Sequence, residues 1–245
     1  MQIVYEPKGA ALEYSELACN LYKTCVHGCK YCFAPAILRL ERPDFHQPGP
    51  MKVDALKKLE RDCMKLGAAH DKRRILFSFV TDPAQSMEVA YVHNRALHIA
   101  AAFGMATTIL TKGGLMATVM FEQMANWGDV TFGQTVSFSA ENDATRRLWE
   151  PRAAPIIERY RAFQAAKSMG IPTWLSLEPV IDPEDAIHVI RQFAPVVDKW
   201  KIGKWGHDAR AKDIDWRKFC AKATILLDEL KADYVFKKDL QEYLP

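Results

Sequence analysis

Three cysteines within an eight-residue stretch are the part of this chain best suited to chemistry. They stand in the order Cys25-Val-His-Gly-Cys29-Lys-Tyr-Cys32, with three and then two residues between them. So short a loop brings its thiols toward one centre, and Gly28 lets the backbone bend between the first two. Four thiolates would complete a zinc or iron-sulfur site. Three would leave one iron of a 4Fe-4S cluster without a protein ligand, and such an open iron can bind a substrate or cofactor.

A zinc knuckle is the alternative interpretation of this loop. His27, Cys19 or His46 could supply a fourth ligand. No second Cys-x-x-Cys or pair of histidines at zinc spacing follows, which favours the cluster.

Composition limits the class of protein. A chain of 245 residues with 49% hydrophobic composition can bury one sizeable core, and its formal net charge of +3 does not by itself predict a nucleic-acid partner. No apolar run is long enough to cross a membrane, and the N-terminus lacks a secretory signal pattern. These features predict a cytoplasmic protein with no membrane partner. Thiols stay reduced in that compartment, so we expect its six cysteines to be ligands and core residues.

Strand and helix patterns alternate along the chain. Between the strands, apolar residues recur at helical spacing, and this alternation predicts parallel pairing through right-handed crossovers, in a barrel or a doubly wound sheet. We also expect a helix over Leu115–Trp127 and a proline-rich loop without helix over Pro43–Pro50. The predicted strands are Leu17–Tyr22, Arg74–Val80, Met105–Leu110, Asp129–Phe138, Pro172–Leu177, Val196–Ile202 and a short final strand, Tyr234–Phe236.

Polar residues follow several of these strands at the point where each strand ends. In barrels built from parallel strands, the chemistry lies at the carboxyl ends of the strands. The same edge would hold the cysteine loop, so we expect an active site there. The residues concerned are Thr81, Asp82, Thr111, Lys112, Ser137, Glu178 and Lys204.

The cysteine motif, with an aromatic residue before its last cysteine, resembles the radical S-adenosylmethionine (SAM) superfamily. Further motifs are similar to the branch that contains spore photoproduct lyase, and the likeness extends from about Ile3 to Val180. It implies an α/β fold with a partial (β/α)6 TIM-like barrel in one domain over residues 1–245. Within it we expect an extended lead-in over 1–16, the barrel over 17–236 and a C-terminal tail over 237–245. The motifs are Asn20-Leu-Tyr, the cysteine loop, Thr81-Asp-Pro-x-Gln85-x-x-Glu88, Thr111-Lys112, Val136-x-Phe-Ser139 and Glu150-Pro-Arg-Ala-x-Pro155.

The resemblance also implies an activity. A 4Fe-4S cluster on Cys25, Cys29 and Cys32 would cleave SAM reductively to a 5′-deoxyadenosyl radical, which abstracts hydrogen from a substrate. Such an enzyme is sensitive to oxygen and needs an electron donor such as flavodoxin or ferredoxin. The leading substrate class is a nucleic acid base or nucleotide, and the alternative is a peptide or small metabolite. A non-catalytic zinc or iron-sulfur binding module is the alternative from another class.

Five residues outside the cysteine loop are candidates for binding the cofactor. By resemblance, Lys112 would contact the SAM carboxylate and Ser137 its ribose. Asp82 is a further candidate, although an aspartate before proline is also a common turn former. Ser139 could instead cap a helix, and Arg152 could pair with a carboxylate near the site or on the surface.

Tyr31 and Glu178 are the candidate catalytic residues. Tyr31 precedes the third cysteine, where an aromatic ring would limit solvent at the cluster. Glu178 ends a buried strand, where a carboxylate needs a partner, and we expect that partner to be Lys201 or Lys204.

Three basic residues receive no role in the site. We expect His27 to lie outside the ligand set, either directly behind the ligands or at the surface. Lys237 and Lys238 are expected simply to solvate the C-terminus.

One departure from the related branch concerns the substrate. Spore photoproduct lyase uses a cysteine near the end of the second strand as hydrogen donor, whereas Phe79 and Val80 stand there in this chain. The resemblance therefore does not imply repair of thymine dimers by that route. Tyr22, Tyr31 or a substrate radical could take the place of the donor.

Overall fold

A single sheet positions the site in this computed structural model, which describes residues 2–126, 128–206 and 208–245. Within these residues, eight strands pair in the order in which they occur along the chain. The first strand runs antiparallel to the second, and all the others are parallel. The strands are β1 (Val4–Tyr5), β2 (Leu17–Cys19), β3 (Ile75–Phe77), β4 (Thr107–Thr111), β5 (Val130–Thr135), β6 (Thr173–Leu177), β7 (Lys199–Ile202) and β8 (Asp233–Phe236).

Helices connect the parallel strands, so the predicted α/β fold with a barrel-type parallel sheet is confirmed. All seven predicted strands overlap β2 to β8. The helices are α1 (Ala34–Leu38), α2 (Arg42–Phe45), α3 (Ala55–Ala68), α4 (Met87–Ala102), α5 (Phe121–Asn126), α6 (Asp143–Trp149), α7 (Ile156–Ser168), α8 (Pro183–Phe193), α9 (Trp216–Glu229) and α10 (Lys238–Gln241).

The two faces of the sheet are filled in different ways because side chains alternate along a strand. On the helix side, the ring of Phe132 in β5 lies 4.8 Å from that of Phe121 and 5.6 Å from that of Phe163. On the inner side, Nε1 of Trp174 in β6 donates to Oγ1 of Thr108 in β4 at 2.9 Å. The indole crosses Gly133 of β5, where a Cβ atom would come within 2.1 Å of it. The indole thus fills the inner face across three neighbouring strands, β4 to β6.

The N-terminal residues differ from the expected extended lead-in. β1 adds a strand to the sheet, and residues Gly9–Glu13 form a 3₁₀ turn that places Tyr14 against the inner face. Nζ of Lys201 in β7 donates to the carbonyl oxygens of Glu13 and Tyr14 at 3.0 and 2.9 Å. Tyr14 also packs its ring 6.1 Å from that of Phe79, beyond β3. The lead-in therefore contacts both β7 and the segment after β3, which the sequence pattern did not predict.

Three further segments differ from expectation. The C-terminal tail contains the one-turn helix α10, whose Leu240 is fully buried. The region predicted as a loop over residues 43–50 overlaps α2, because Pro43 stands in the first turn, where no backbone N–H is needed. The helix expected over Leu115–Trp127 begins as a 3₁₀ turn, Gly114–Met120, followed by α5. Its predicted last residue, Trp127, lies outside the described residues.

Candidate active site

A cavity of about 370 Å³ opens at the carboxyl ends of the parallel strands. Its lining comes from the segments that follow β2, β3, β4, β6, β7 and β8, together with the N-terminal turn. This volume falls within the usual range for a small-molecule or cofactor site. The predicted placement of the site at this edge of the sheet agrees with the cavity. Seven of the candidate ligand, cofactor-binding and catalytic residues proposed from the sequence are among those that line it: Cys25, Cys29, Tyr31, Cys32, Asp82, Lys112 and Glu178.

The cysteine loop follows β2 and is held from several directions. Oδ1 of Asn20 accepts hydrogen bonds from the backbone N–H groups of Phe79 and Val80, both at 2.9 Å. The side chain of Gln85 accepts from the N–H of Val26 at 2.7 Å and donates to the carbonyl of Thr24 at 3.1 Å. Asn20 and Gln85 thus join the cysteine loop to the end of β3.

Gly28 lies at the tightest point of the loop, with a φ of +71°. A side chain would be strained in this conformation, and a Cβ atom here would come within 3.2 Å of Pro151 and 3.3 Å of Arg152. The loop therefore packs closely against the segment after α6.

The three thiols of this loop are free and face the cavity. Cys25 and Cys29 are buried and Cys32 is half-buried. Burial raises the pKa of Cys29 to about 12 and the pKa of Cys25 well above its usual range, and it also raises the pKa of Cys32. Each thiol therefore keeps its proton until a positively charged centre displaces it. Among the described residues, no three His, Cys, Asp or Glu side chains are grouped closely enough to hold a single metal ion.

His27 is buried within the cysteine loop, so of the two positions expected for it, behind the ligands or at the surface, the structure excludes the surface. Its Nε2 lies 3.1 Å from Oδ2 of Asp82, and its Nδ1 lies 3.2 Å from the carbonyl oxygen of Arg152. Oδ1 of Asp82 accepts from Oγ1 of Thr111 at 2.5 Å, and Oδ2 accepts from the N–H of Lys112 at 2.7 Å. Burial opposes ionisation of Asp82, but the contacts with His27 and Thr111 outweigh it and hold its pKa well below the usual range. Asp82 thus joins the cysteine loop to the end of β4.

Lys112 follows β4 and points its charge into the cavity near the cysteines. Its Nζ lies 5.5 Å from the centre of the Tyr31 ring, and no hydrogen bond to Nζ is formed within the described residues. Burial disfavours the ammonium, yet Cys29 and Glu150 outweigh this effect and raise the pKa of Lys112. The lysine is a cation available to an anionic ligand.

Glu150 is a residue of the site that sequence reasoning did not single out. Its carboxylate is fully buried and accepts from the hydroxyl of Tyr31 through Oε1 and from Nη2 of Arg159 through Oε2. Arg159 is also fully buried and donates to the carbonyls of Ala154 and Thr135 at 3.0 and 2.9 Å. Tyr31 is therefore oriented by Glu150, and the only available signal was the position of this acid in the Glu-Pro-Arg motif.

Glu178 has partners other than those expected. Its Oε2 accepts from the hydroxyl of Tyr14 and from Nζ of Lys237, the latter at 2.7 Å. Lys201 instead holds the N-terminal turn, and Lys204 donates to the hydroxyl of Tyr243 at 2.9 Å. Both predicted partners were wrong because β8 brings Lys237 beside the end of β6. Lys237 is only 5% exposed, so it does not simply solvate the C-terminus.

Ser137, Ser139 and Arg152 are not among the residues that line the cavity. The hydroxyl of Ser137 is buried without a hydrogen-bond partner among the described residues. The N–H of Ser139 donates to Oδ2 of Asp185 at 3.1 Å, and its side chain does not cap α6, which follows Asn142. Arg152 is exposed and donates to the carbonyl of His46 at 2.6 Å, and among the described residues it does not form the pairing with a carboxylate that was expected for it.

The sequence from residue 19 to residue 193 matches the model of the Radical SAM superfamily. This match covers more than half of the chain. The chain belongs to the radical SAM superfamily. The superfamily assignment, the enzyme class and the partial TIM-like barrel expected from the cysteine motif are therefore confirmed.

Solved structures of two radical SAM proteins share the fold of this chain. A spore photoproduct lyase C140A mutant with dinucleoside spore photoproduct superimposes with a TM-score of 0.72 at 12% identity, over 94% of this chain and 79% of the other. SuiB of Streptococcus suis bound to S-adenosylmethionine superimposes with a TM-score of 0.62 at 14% identity, over 89% and 46%. SuiB bound to the precursor peptide SuiA gives 0.64 at 14% identity, over 89% and 47%. This radical SAM chain thus spans about half the length of SuiB.

No curated protein matches the chain. Among the described helices, none combines the length and the hydropathy that a membrane-spanning segment requires.

Proposed function

We propose that this radical SAM protein holds a 4Fe-4S cluster on Cys25, Cys29 and Cys32 and binds SAM in the adjoining cavity. The observation that carries the proposal is the set of three free thiols that line one cavity with the cation of Lys112. Three thiol ligands suit a cluster with one open iron, because a cluster of this kind otherwise takes four. When both groups are bound, they supply a 5′-deoxyadenosyl radical that abstracts hydrogen from a substrate carbon.

In this proposal, the residues of the chain bind and orient SAM and keep water out of the cavity. Lys112 offers its ammonium to the carboxylate of SAM, at the cysteine end of the cavity. Tyr31 covers the same end with a ring that Glu150 holds in place. Phe79 and Val80 add apolar lining, and such a lining keeps water away from reactive species.

The direct test is cluster reconstitution followed by a cleavage assay. Anaerobic reconstitution should give a brown protein with about four irons per chain. Incubation with SAM and a strong reductant should then release 5′-deoxyadenosine. A colourless protein with one zinc, or an intact cluster that releases no 5′-deoxyadenosine, would favour the non-catalytic binding module instead.

Replacing Lys112 with methionine should weaken SAM binding by about 30-fold or more, since losing one partner of a desolvated charge pair costs roughly 2–5 kcal/mol. Equilibrium dialysis of labelled SAM against the reconstituted protein measures this affinity. Lys112→Arg keeps the charge and should retain part of the affinity. Lys57→Met is the matched control, because Lys57 is exposed on α3 and does not line the cavity. Equal affinities for Lys112→Met and the control would contradict the role of Lys112.

We further propose that the substrate is a nucleic acid base or a nucleotide. The support comes from the cavity lining that lies beyond the cysteines. It contains the aromatic rings of Phe33, Phe79 and Trp205, with Lys8 and Lys204 nearby. Aromatic faces stack on bases and lysines attract phosphates. If a peptide or small metabolite were the substrate instead, adding nucleotides or oligonucleotides would not increase the release of 5′-deoxyadenosine.

The electron donor proposed for this enzyme is an acidic flavodoxin or ferredoxin, in a cytoplasmic setting without oxygen. Lys30 and Arg42 are exposed beside the cysteine loop, and neither pairs with a carboxylate in the described parts of the chain. Nη2 of Arg42 donates to the carbonyl of Cys32 at 2.9 Å, so this cationic surface adjoins the proposed cluster.

Reduction of the cluster by flavodoxin should therefore slow by about tenfold when salt screens this surface. Lys30→Glu should produce a similar loss at low salt, while Lys57→Glu should not. A photoreduced neutral deazaflavin should reduce all these proteins at the same rate. Salt-independent reduction by flavodoxin would contradict docking at this surface.

A further inference from the structure

A polar cluster of Tyr14, Glu178 and Lys237 lies at the end of the cavity away from the three cysteines. They come from three distant segments: the N-terminal turn, the end of β6 and the residue after β8. The ring of Phe79 lies 6.1 Å from that of Tyr14 and 5.5 Å from that of Phe33. Phe33 directly follows Cys32, so Phe79 separates this cluster from the cysteine end.

The hydrogen bonds of this cluster converge on one oxygen of Glu178. Oε2 accepts from both Tyr14 and Lys237, and the hydroxyl of Tyr14 also lies 2.9 Å from Oγ of Ser176. No residue in the described parts of the chain donates to Oε1. The side chain is 23% exposed and lines the cavity. One carboxylate oxygen is therefore held by the protein, and the other is left for a ligand.

The carboxylate of Glu178 packs closely against the backbone of Gly203. A Cβ atom on Gly203, which follows β7, would come within 2.5 Å of Cδ of Glu178. Lys237 keeps its ammonium 4.4 Å from the centre of the Tyr14 ring and 3.8 Å from Oε2 of Glu13. The glycine makes room for the carboxylate, and the lysine neutralises it.

Tyr14 acts as a donor in this arrangement. Burial and the adjacent Glu178 carboxylate raise the pKa of Tyr14 well above its usual range, so its hydroxyl stays protonated. An ionised carboxylate accepts hydrogen bonds and cannot donate them. The free oxygen of Glu178 therefore suits an N–H or O–H group and repels a phosphate or carboxylate.

We propose that Oε1 of Glu178 accepts a hydrogen bond from an amino N–H of a nucleobase, and that Tyr14 and Lys237 are the residues that position it. This inference rests on the nucleobase assignment made above. Adenine, cytosine and guanine carry an amino donor at an edge. The ring N–H of uracil lies between two carbonyl oxygens, which the carboxylate repels. The pocket should therefore favour bases with an amino group over uracil.

The test uses the reconstituted full chain with AMP, CMP, GMP and UMP as probes, and measures each affinity by titration calorimetry. Wild-type protein should bind at least one amino-bearing nucleotide more tightly than UMP. Glu178→Gln should weaken binding of that nucleotide by about 10- to 100-fold and reduce its preference over UMP, because a charged acceptor is lost. Glu184→Gln is the matched control, since Glu184 is an exposed glutamate on α8, 63% exposed, that pairs with Lys222.

Two further variants separate positioning from folding. Lys237→Met and Tyr14→Phe should each weaken the binding of the same nucleotide. Lys237→Arg should retain part of the affinity that Lys237→Met loses. The thermal midpoint of each variant shows whether it is folded. Unchanged affinity and base preference in Glu178→Gln would overturn the inference. If no nucleotide binds wild-type protein that still releases 5′-deoxyadenosine, the nucleobase assignment and this inference both fail, while the cleavage of SAM stands.

Discussion

Cys29→Ala should lose the iron-sulfur cluster and, with it, all release of 5′-deoxyadenosine. Cys29 is the middle cysteine of the loop, and its thiol is buried beside Lys112 and Glu150. Two remaining thiols cannot hold three irons of the cube, and no fourth cysteine lies on the loop. Iron should fall from about four per chain to near zero. Iron analysis, the visible absorption spectrum and a chromatographic assay of 5′-deoxyadenosine measure the loss.

Cys220→Ala is the matched control for this substitution. Cys220 lies on α9 and is fully buried away from the cavity lining, so its replacement removes a thiol without touching the loop. It should keep its iron and its cleavage activity, although a small loss of thermal stability is expected from the cavity left behind. Retention of a full cluster in Cys29→Ala, or its loss in Cys220→Ala, would place the cluster elsewhere.

The convergence of the three thiols on one cavity could be predicted because all three cysteines lie within one short loop. Cys25, Cys29 and Cys32 are separated by three and two residues, so their spacing alone limits where the thiols can go. The parallel sheet was predictable for a related reason. Each strand pairs with its neighbour in sequence. The order in which the strands occur along the chain is therefore also their order in the sheet.

The other contacts of the site could not be predicted because they join residues far apart in the chain. Tyr14 reaches Glu178 across 164 positions, and Tyr31 reaches Glu150 across 119. No spacing rule connects such residues until the strands are placed in three dimensions. Lys237 illustrates the same limit. Near the end of a chain a lysine is normally solvated, yet here its backbone N–H bonds to Ile202 and its side chain turns inward.

Glu150→Gln should destabilise the protein more than any exposed ion-pair variant. Glu150 and Arg159 are both fully buried, and removing one partner leaves the other charge uncompensated. The expected cost is about 3–5 kcal/mol, or roughly 6–20 °C in Tm for a chain of this size. Differential scanning calorimetry of the anaerobic reconstituted protein measures it. Glu184→Gln breaks an exposed pair with Lys222 and should cost no more than about 1 kcal/mol.

The dependence on pH and a double substitution distinguish a broken charge pair from a simple packing defect at Glu150. Burial alone would raise the pKa of Glu150, but Arg159 and Lys112 outweigh it and the net effect lowers that pKa. A carboxyl group whose pKa is lower in the folded than in the unfolded protein stabilises the fold at pH values above its unfolded pKa of about 4.3. This stabilisation is lost as the pH falls through the folded pKa. The gap in Tm between wild type and Glu150→Gln should therefore narrow below about pH 4.

Adding Arg159→Met to Glu150→Gln should recover part of the loss of stability, because no buried charge then remains unpaired. If the difference in Tm stayed constant with pH and the double variant recovered no stability, the pair would act through shape and not through charge.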